Sequence, residues 1–313
     1  MNAGCPLCGE KSYSIIYTHL NDQAAMVVRC DHCQHIYSSI PAKVEFEKLY
    51  EDEVYKVVEN RSSFFDKLLN WEYARVIKRI NKYKPSKGSL LDFGSGKGKL
   101  GFLAKNDGWQ VKCVETSIER AEYAQKIYGL DVTTKVYSNG KIFSEDFDVL
   151  SLFHVLEHLP APQNLLNELI KHNVKKDGLV VIEVPNINSW QAKLAGSKWM
   201  HLDVPRHISH FTPQKLDQLA KEVNLVGLST SFFSSHLGVL GMVDSFLKLF
   251  GYRKNIIYEL KNKKPAGLII SIALLLPVSF IFEVVASWTG HGGIVRKYLI
   301  RIEKHKYQDY FKD

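Results

Sequence analysis

The sequence has no internal repeat and no low-complexity tract, so repeat architectures are excluded. Its first residues are polar and include cysteine, and we expect no secretory signal peptide. Cysteines number only five in 313 residues, and four of them form CxxC pairs, so no disulfide framework is predicted. These absences favour the reducing cytoplasm as the location.

The sequence also has no arginine-rich stripe with interleaved aromatic residues, and nucleic acid is not the partner we expect. The chain is nevertheless basic, with a formal net charge of +8 and a pI of about 9.0. A phosphorylated substrate, a membrane surface or nucleic acid would each suit such a charge. A lysine-rich solvated surface is the alternative interpretation.

Two CxxC motifs near the N-terminus predict a zinc ribbon over residues 1–40. They consist of Cys5, Cys8, Cys30 and Cys33. Four thiolates on two turns complete a closed, structural Zn²⁺ site. A segment this small has almost no hydrophobic core, so it depends on the bound metal to fold. Segments 13–17 and 25–29 are expected to form a hairpin between the motifs. His32 and His35 are interpreted as bystanders, since four cysteines already fill the site.

A glycine-rich turn follows the apolar segment 89–93, and an acid, Glu115, ends the next apolar segment. Glycines allow close backbone approach to a ligand, and an acid about 20 residues further on suits a ribose diol. The string Gly96-x-Gly98-x-x-Gly101 also fits the dinucleotide pattern. However, the residue that directly follows the predicted strand is Gly94, which favours a different register.

The pattern Asp92-x-Gly94-x-Gly96-x-Gly98 resembles motif I of the class I S-adenosylmethionine-dependent methyltransferases. The resemblance implies that the glycine turn wraps the methionine end of the cofactor and that Glu115 binds the ribose hydroxyls. The expected cofactor-binding residues are Asp92, Gly94, Ser95, Gly96, Gly98, Glu115, Thr116 and Phe153. No acid follows the third predicted strand within 133–138, where many relatives bind adenine.

Strands and helices alternate from residue 89 onward, which predicts an α/β, Rossmann-like, doubly wound and mostly parallel seven-stranded sheet. The expected units are the ribbon (1–40), a helical cap or linker (41–88), the cofactor-binding domain (89–233 with 291–305) and an apolar helical insertion (234–290).

The segment 153–160 resembles the "vLEHl" segment of many small-molecule methyltransferases. One helical turn would place His154, Glu157 and His158 on one face. They could bind a divalent metal, although His154 replaces the first Glu of related metal-binding motifs. Alternatively, His154 could serve as a general base, with His158 beside it, or the segment could be a structural polar turn.

Segment 199–213 contains "PRHxxxF(S/T)", which resembles a segment of zinc-ribbon-bearing methyltransferases, including sugar C-methyltransferases. His207 is the second candidate base. Arg206, His210 and Trp199 are candidate acceptor contacts. His201, Asp203, His207 and His210 are potential metal ligands, but ordering of the loop is the preferred interpretation.

Residues 266–282 are uncharged and approach the length that spans a bilayer, but Pro277 interrupts them. This pattern fits an interfacial helix at an anionic membrane and a buried helical pair equally well. Lys261, Lys263, Lys264, Arg296 and Lys297 flank the insertion and would suit lipid headgroups. If the insertion binds lipid, the cytoplasmic protein is peripheral on the inner membrane face.

The predicted activity is transfer of a methyl group from S-adenosylmethionine to a small or lipid-linked acceptor. A hydroxyl of a sugar or glycan intermediate ranks first and a quinone-like phenol second, with the methylated atom (O, N or C) left open. An RNA-modifying enzyme or RNA-binding module and a non-catalytic membrane-associated scaffold are the alternatives.

Overall fold

The structure is a computed structural model that describes residues 4–20, 25–40 and 64–302. The strands are β1 (Tyr13–Leu20), β2 (Ala25–Cys30), β3 (Ile36–Ser39), β4 (Ser89–Phe93), β5 (Gln110–Val114), β6 (Asp131–Thr133), β7 (Phe147–Phe153), β8 (Val174–Pro185), β9 (Ser209–His210), β10 (Leu225–Ser231) and β11 (Ile294–Arg301). The helices are α1 (Phe64–Tyr83), α2 (Lys99–Asn106), α3 (Ile118–Tyr128), α4 (Pro162–Asn173), α5 (Trp190–Ala195), α6 (Pro213–Glu222), α7 (Leu237–Leu249), α8 (Ile256–Asn262) and α9 (Ala266–Trp288). The part of the predicted helical cap before Phe64 lies outside the described residues.

A seven-stranded sheet in the order β10-β11-β8-β7-β4-β5-β6 forms the centre of the molecule. Only β11 runs antiparallel to its neighbours among these strands. The inner strands are apolar on both faces because helices cover both sides of a parallel sheet. Leu90 packs towards α1 and α2, whereas Leu91 packs towards α4 and α6. The predicted fold class is confirmed.

Strand β8 begins at Val174, although the continuous apolar run of this segment starts only at Leu179. Lys175, Lys176 and Asp177 are exposed, so this part of the strand lacks the apolar signal that marks the rest. Tertiary pairing therefore extends the strand beyond what hydrophobicity indicates.

A second sheet, β1-β2-β3-β9, joins the cysteine-rich segment to the catalytic domain. Ile36 and Tyr37 of β3 pair with His210 and Ser209 of β9. Both strands are short, and neither was predicted, because their pairing partners are far apart in sequence.

Helices α7, α8 and α9 lie between β10 and β11, at the predicted position of the apolar insertion. One face of α9 packs on the domain, where Glu283 accepts a hydrogen bond from the Gly293 amide at 2.8 Å. Among the described residues, α9 is the one helix long and apolar enough to cross a membrane by length and composition.

Candidate active site

The glycine-rich turn connects β4 to α2, with Gly94, Gly96 and Gly98 at φ values of 76°, 55° and 76°. A Cβ on Gly94 would lie 2.5 Å from a methyl group of Val155, and one on Gly98 would lie 2.6 Å from Leu130. Among the described residues, none apart from its chain neighbours has a heavy atom within 4 Å of a Cβ built on Gly96. The turn thus packs tightly on two sides and faces open space at Gly96, where a ligand can lie.

The Glu115 carboxylate lies against this turn. Its two oxygens accept hydrogen bonds from the amides of Gly96 and Ser117, both at 2.8 Å. Each carboxylate oxygen retains a further lone pair and can accept a bond from a ribose hydroxyl. Thr116, the next residue, is exposed.

Asp92 lies beneath the turn, where the Ser151 hydroxyl donates to its carboxylate at 2.8 Å. Burial, assisted by the charge of Glu115, raises the pKa of Asp92 to about 6. No side chain caps the start of α2 at Gly98, and the Gly101 amide of its first turn donates to the Asp92 carboxylate. Open space at Gly96 and a diol-binding carboxylate together fit an adenosyl cofactor.

Phe153 ends β7, but its ring packs into the core. The Tyr73 ring lies 5.9 Å away and the Arg296 guanidinium 5.5 Å away. These contacts hold the ring against α1 and β11, and a contact between Phe153 and the cofactor stays a prediction.

His154 lies between two buried carboxylates, with φ at 55°. Its Nδ1 is 3.1 Å from Glu157 Oε1, and its Nε2 is 3.0 Å from Glu183 Oε1. Burial opposes protonation, but the two carboxylates outweigh it and raise the pKa of His154 to about 10. At neutral pH both ring nitrogens therefore donate, which disfavours His154 as a general base.

Glu183, which the sequence did not single out, connects His154 to a buried charge network. Arg296 donates to Glu183 and, at 2.7 Å, to Glu72 of α1. His236 Nδ1 lies 2.7 Å from the same Glu72 side chain. The sequence did carry a signal for this network, because Glu183 and Arg296 are charged residues within the otherwise apolar strands β8 and β11.

The expectation that Arg296 and Lys297 contact lipid headgroups is wrong, because both side chains form ion pairs within the protein. Both side chains are buried, and Lys297 pairs with Asp217 at 2.6 Å.

Glu157, His158 and His207 converge beside His154, each offering a metal-ligand atom within 4.8 Å of the others. Nδ1 of His158 lies 3.1 Å from the Arg206 carbonyl, and Nδ1 of His207 lies 2.8 Å from the His201 carbonyl. These acceptors favour tautomers in which Nδ1 carries the proton and Nε2 is basic.

The charges in this cluster follow from its burial. Burial lowers the pKa of His207 well below its ordinary value, so the ring is neutral. Although burial, the largest single effect, raises the pKa of Glu157, the hydrogen bond and charge of His154, with smaller contributions from His158 and His207, together outweigh it and lower that pKa. The cluster therefore presents a carboxylate and a neutral imidazole at the carboxyl end of β7.

A family model described as "Methyltransferase domain" matches residues 65–230, more than half of the chain. The chain is a class I S-adenosylmethionine-dependent methyltransferase. This family membership favours the enzyme over the non-catalytic scaffold. No curated protein matches the sequence significantly.

Comparison with solved structures finds several methyltransferases. The plantazolicin methyltransferase BpumL, solved with a pentazolic desmethylPZN analog and SAH, is 14% identical with a TM-score of 0.51, over 82% of this chain and 95% of that chain. Coclaurine N-methyltransferase, bound to N-methylheliamine and SAH, is 13% identical with a TM-score of 0.46, over 83% and 82%. A SAM dependent methyltransferase from Archaeoglobus fulgidus is 16% identical with a TM-score of 0.45, over 76% and 100%.

In this methyltransferase the segment after β8 holds the candidate acceptor contacts. Arg206 forms a two-point ion pair with Asp203. Trp199 is buried and donates to Gln191, so its indole N–H is already used. One edge of Trp199 lines a cleft of about 580 Å³ that also contains Asp203, Lys248 and Arg253.

His210 is not an acceptor contact in this arrangement. Its Nε2 lies 2.9 Å from Ser38 Oγ, and burial lowers its pKa to about 4. His201 Nε2 faces the Leu237 carbonyl at 3.4 Å. The four-residue metal set considered from sequence therefore does not converge, since His207 joins Glu157 and His158 instead.

The cysteines of the methyltransferase's N-terminal segment form one compact cluster. Sγ of Cys5 lies 3.5 Å from Sγ of Cys33, and Sγ of Cys8 lies 3.6 Å from Sγ of Cys30. Tetrahedral Zn–S bonds of about 2.3 Å place sulfur atoms roughly 3.8 Å apart, so the four thiols fit Zn²⁺. His32 is exposed, and His35 packs on Phe211.

Proposed function

We propose that this methyltransferase methylates a hydroxyl of a small or lipid-linked acceptor, with a sugar or glycan intermediate first and a quinone-like phenol second. The observation that carries the proposal is the convergence of Glu157, His158 and His207 beside the cofactor turn. Val155, within the same segment, packs on Gly94, so the two halves of the site are adjacent.

The cofactor supplies an activated methyl group, and the chain's task is alignment of the acceptor oxygen with it. The acceptor hydroxyl must also lose a proton. We propose that the proton leaves towards the cluster of Glu157, His158 and His207. His154 acts as a positioning residue, because its two carboxylate partners keep it protonated.

The cleft beside Asp203 is the proposed acceptor site. Its lining includes Lys248, which pairs with Asp244 at 3.6 Å, and the two exposed cations Lys198 and Arg253. Cations suit the phosphate groups that activated sugars carry, whereas a neutral quinone-like phenol has no group to meet them. This difference supports the ranking of the sugar-type acceptor above the phenol.

We also propose that Cys5, Cys8, Cys30 and Cys33 bind structural Zn²⁺. The sulfur distances and the closed set of four thiols support this assignment.

We further propose that α9 lies on an anionic lipid surface. Ile270, Leu274, Ile281 and Trp288 follow helical spacing and are exposed on the face opposite the buried Glu283. Lys264, just before the helix, is also exposed. A cytoplasmic protein peripheral to the inner membrane face is consistent with this placement.

The activity is tested with S-adenosylmethionine that carries a deuterated methyl group. Nucleoside diphosphate sugars, lipid-linked sugars and quinone-like phenols are offered separately, and the product is located by mass spectrometry and NMR. We expect a labelled methyl ether on a sugar hydroxyl. Methylation of carbon or nitrogen, or of the phenol alone, would overturn the preferred acceptor.

A further inference from the structure

Only one of the two carboxylate oxygens of Glu157 has a hydrogen-bond partner among the described residues. The side chain is 1% exposed, and Oε1 lies 3.1 Å from His154 Nδ1. Its second oxygen, Oε2, has no hydrogen-bond partner among the described residues. A buried carboxylate oxygen without a donor is costly, so this position calls for a positive group.

Two imidazoles approach this carboxylate from separate segments. His158 adjoins Glu157 in a 3-10 turn after β7, and His207 comes from the loop before β9. The three side chains each offer a ligand atom within 4.8 Å of the others. Their rings are close as well, with the His158 and His207 centroids 4.7 Å apart.

The protein also orients both imidazoles. Each directs Nδ1 at a backbone carbonyl, of Arg206 for His158 and of His201 for His207. Histidines that ligate metals through Nε2 usually donate Nδ1–H to a carbonyl or carboxylate, which fixes the ring and its tautomer. A general base requires only one oriented imidazole, whereas this site has two. A base would also give the buried Oε2 of Glu157 no positively charged partner, which a metal ion would supply.

We propose that Glu157, His158 and His207 bind one first-row divalent transition-metal ion, separate from the ion of the four cysteines. Two imidazoles and a carboxylate are a common donor set for such ions, which bind these ligands at about 2.0–2.2 Å. Bonds of that length place ligand atoms roughly 3.0–3.6 Å apart, so the three side chains, whose ligand atoms lie within 4.8 Å of one another, would close around the ion by side-chain rotation.

Three protein ligands would leave a coordination position open for an acceptor oxygen, and coordination would lower the pKa of its hydroxyl. With the ion bound, Glu157, His158 and His207 are ligands rather than proton acceptors, so the hydroxyl proton would leave to water in place of direct transfer to the cluster. This catalytic role rests on the proposed hydroxyl methylation, whereas binding of the ion does not. His158 is partly exposed, which gives the site a route to solvent.

Metal stoichiometry tests the proposal without any acceptor. The full chain is saturated with Zn²⁺ or Co²⁺, passed through a desalting column and analysed by mass spectrometry for metal per chain. We expect two ions in the wild type and one in Glu157→Gln and in His207→Gln. The matched control, His210→Gln, removes a buried histidine outside the cluster and should retain two.

Co²⁺ spectra identify which ion is lost. The ion held by cysteines has intense sulfur charge-transfer absorption, and that absorption should persist in both cluster variants. SAH binding to each variant verifies that it is folded. One ion per wild-type chain, or two ions in both cluster variants, would overturn the proposal. Failure here leaves the methyl-transfer assay unaffected, so the two proposals are tested separately.

Discussion

The hydroxyl of Ser38, in β3, donates to the backbone carbonyl of His207 at 2.7 Å. Because that hydroxyl has a single proton, the Nε2–H of His210 must be the donor in its 2.9 Å contact with Ser38. The Ser38 amide also donates to the Ile208 carbonyl. The cysteine-rich segment therefore fixes the backbone of the loop that carries His207, and it acts as a positioning element for the acceptor side.

Replacing Ser38 with alanine should reduce acceptor turnover without affecting cofactor binding. The change leaves the His207 carbonyl and the His210 N–H without their buried partner, at a cost of about 1–3 kcal/mol. We expect kcat/KM for the acceptor to fall about tenfold through misplacement of His207. Steady-state kinetics and SAH calorimetry measure the two effects. Ser39→Ala, on the same strand, is the control, and an equal loss in both variants would contradict the positioning role.

Cys5→Ser should remove the ion of the cysteine cluster. A structural site loses most of its affinity with one thiolate, and the segment that it folds should loosen. We expect zinc bound by cysteine to disappear while SAH affinity stays within about twofold, because β4 and β5 do not depend on the small sheet. Unchanged cobalt–thiolate absorption in the variant would refute the assignment.

Most of the fold could be predicted from short-range patterns of apolar residues and glycines in the sequence. The cofactor turn could be identified from sequence because each of its parts is one short stretch of the chain. These parts are the apolar strands β4, β5 and β7 and the glycines that follow β4. The pairing of β3 with β9 and the ion pair between Glu183 and Arg296 could not, because they join segments far apart in the chain.

The same limit applies to the histidines. Spacing grouped His154 with Glu157 and His158, but the third member of the cluster is His207, about fifty residues later. Trp199 and His210 stood out by residue type, yet burial and their hydrogen bonds assign them mainly to the structure of the loop.

Glu115→Ala should weaken S-adenosylmethionine binding by about ten- to hundredfold, since hydrogen bonds to a charged group contribute about 1.5–3 kcal/mol. Titration calorimetry measures the affinity. Glu122→Ala, an exposed acid on α3, is the matched control and should bind normally. Saturable NAD binding by the wild type would point to the dinucleotide register of the glycine turn, and equal affinities in both variants would remove Glu115 from the cofactor site.

Asp92 should make the stability of the protein fall as the pH rises from about 4 to about 6. Burial raises the pKa of Asp92 from 3.8 to about 6, so the folded state binds more protons than the unfolded state in this window. Asp92→Asn abolishes this titration, and its stability relative to wild type should rise by roughly 2 kcal/mol across the window. Urea unfolding at both pH values measures the difference, and a constant gap would contradict the assigned burial effect.

Leu274→Glu should weaken binding to anionic liposomes. Leu274 is 73% exposed on the apolar face of α9, and a carboxylate there must be buried in lipid or held near anionic headgroups. We expect the wild type to float with the liposomes and the variant to float several-fold less. Val136→Glu is the control, because Val136 is 82% exposed but lies in the loop after β6. SAH binding should be the same in all three proteins, since α9 is remote in sequence and packing from the glycine turn. If the wild type stays in the soluble fraction, or if both variants float equally well, the exposed face of α9 does not bind lipid.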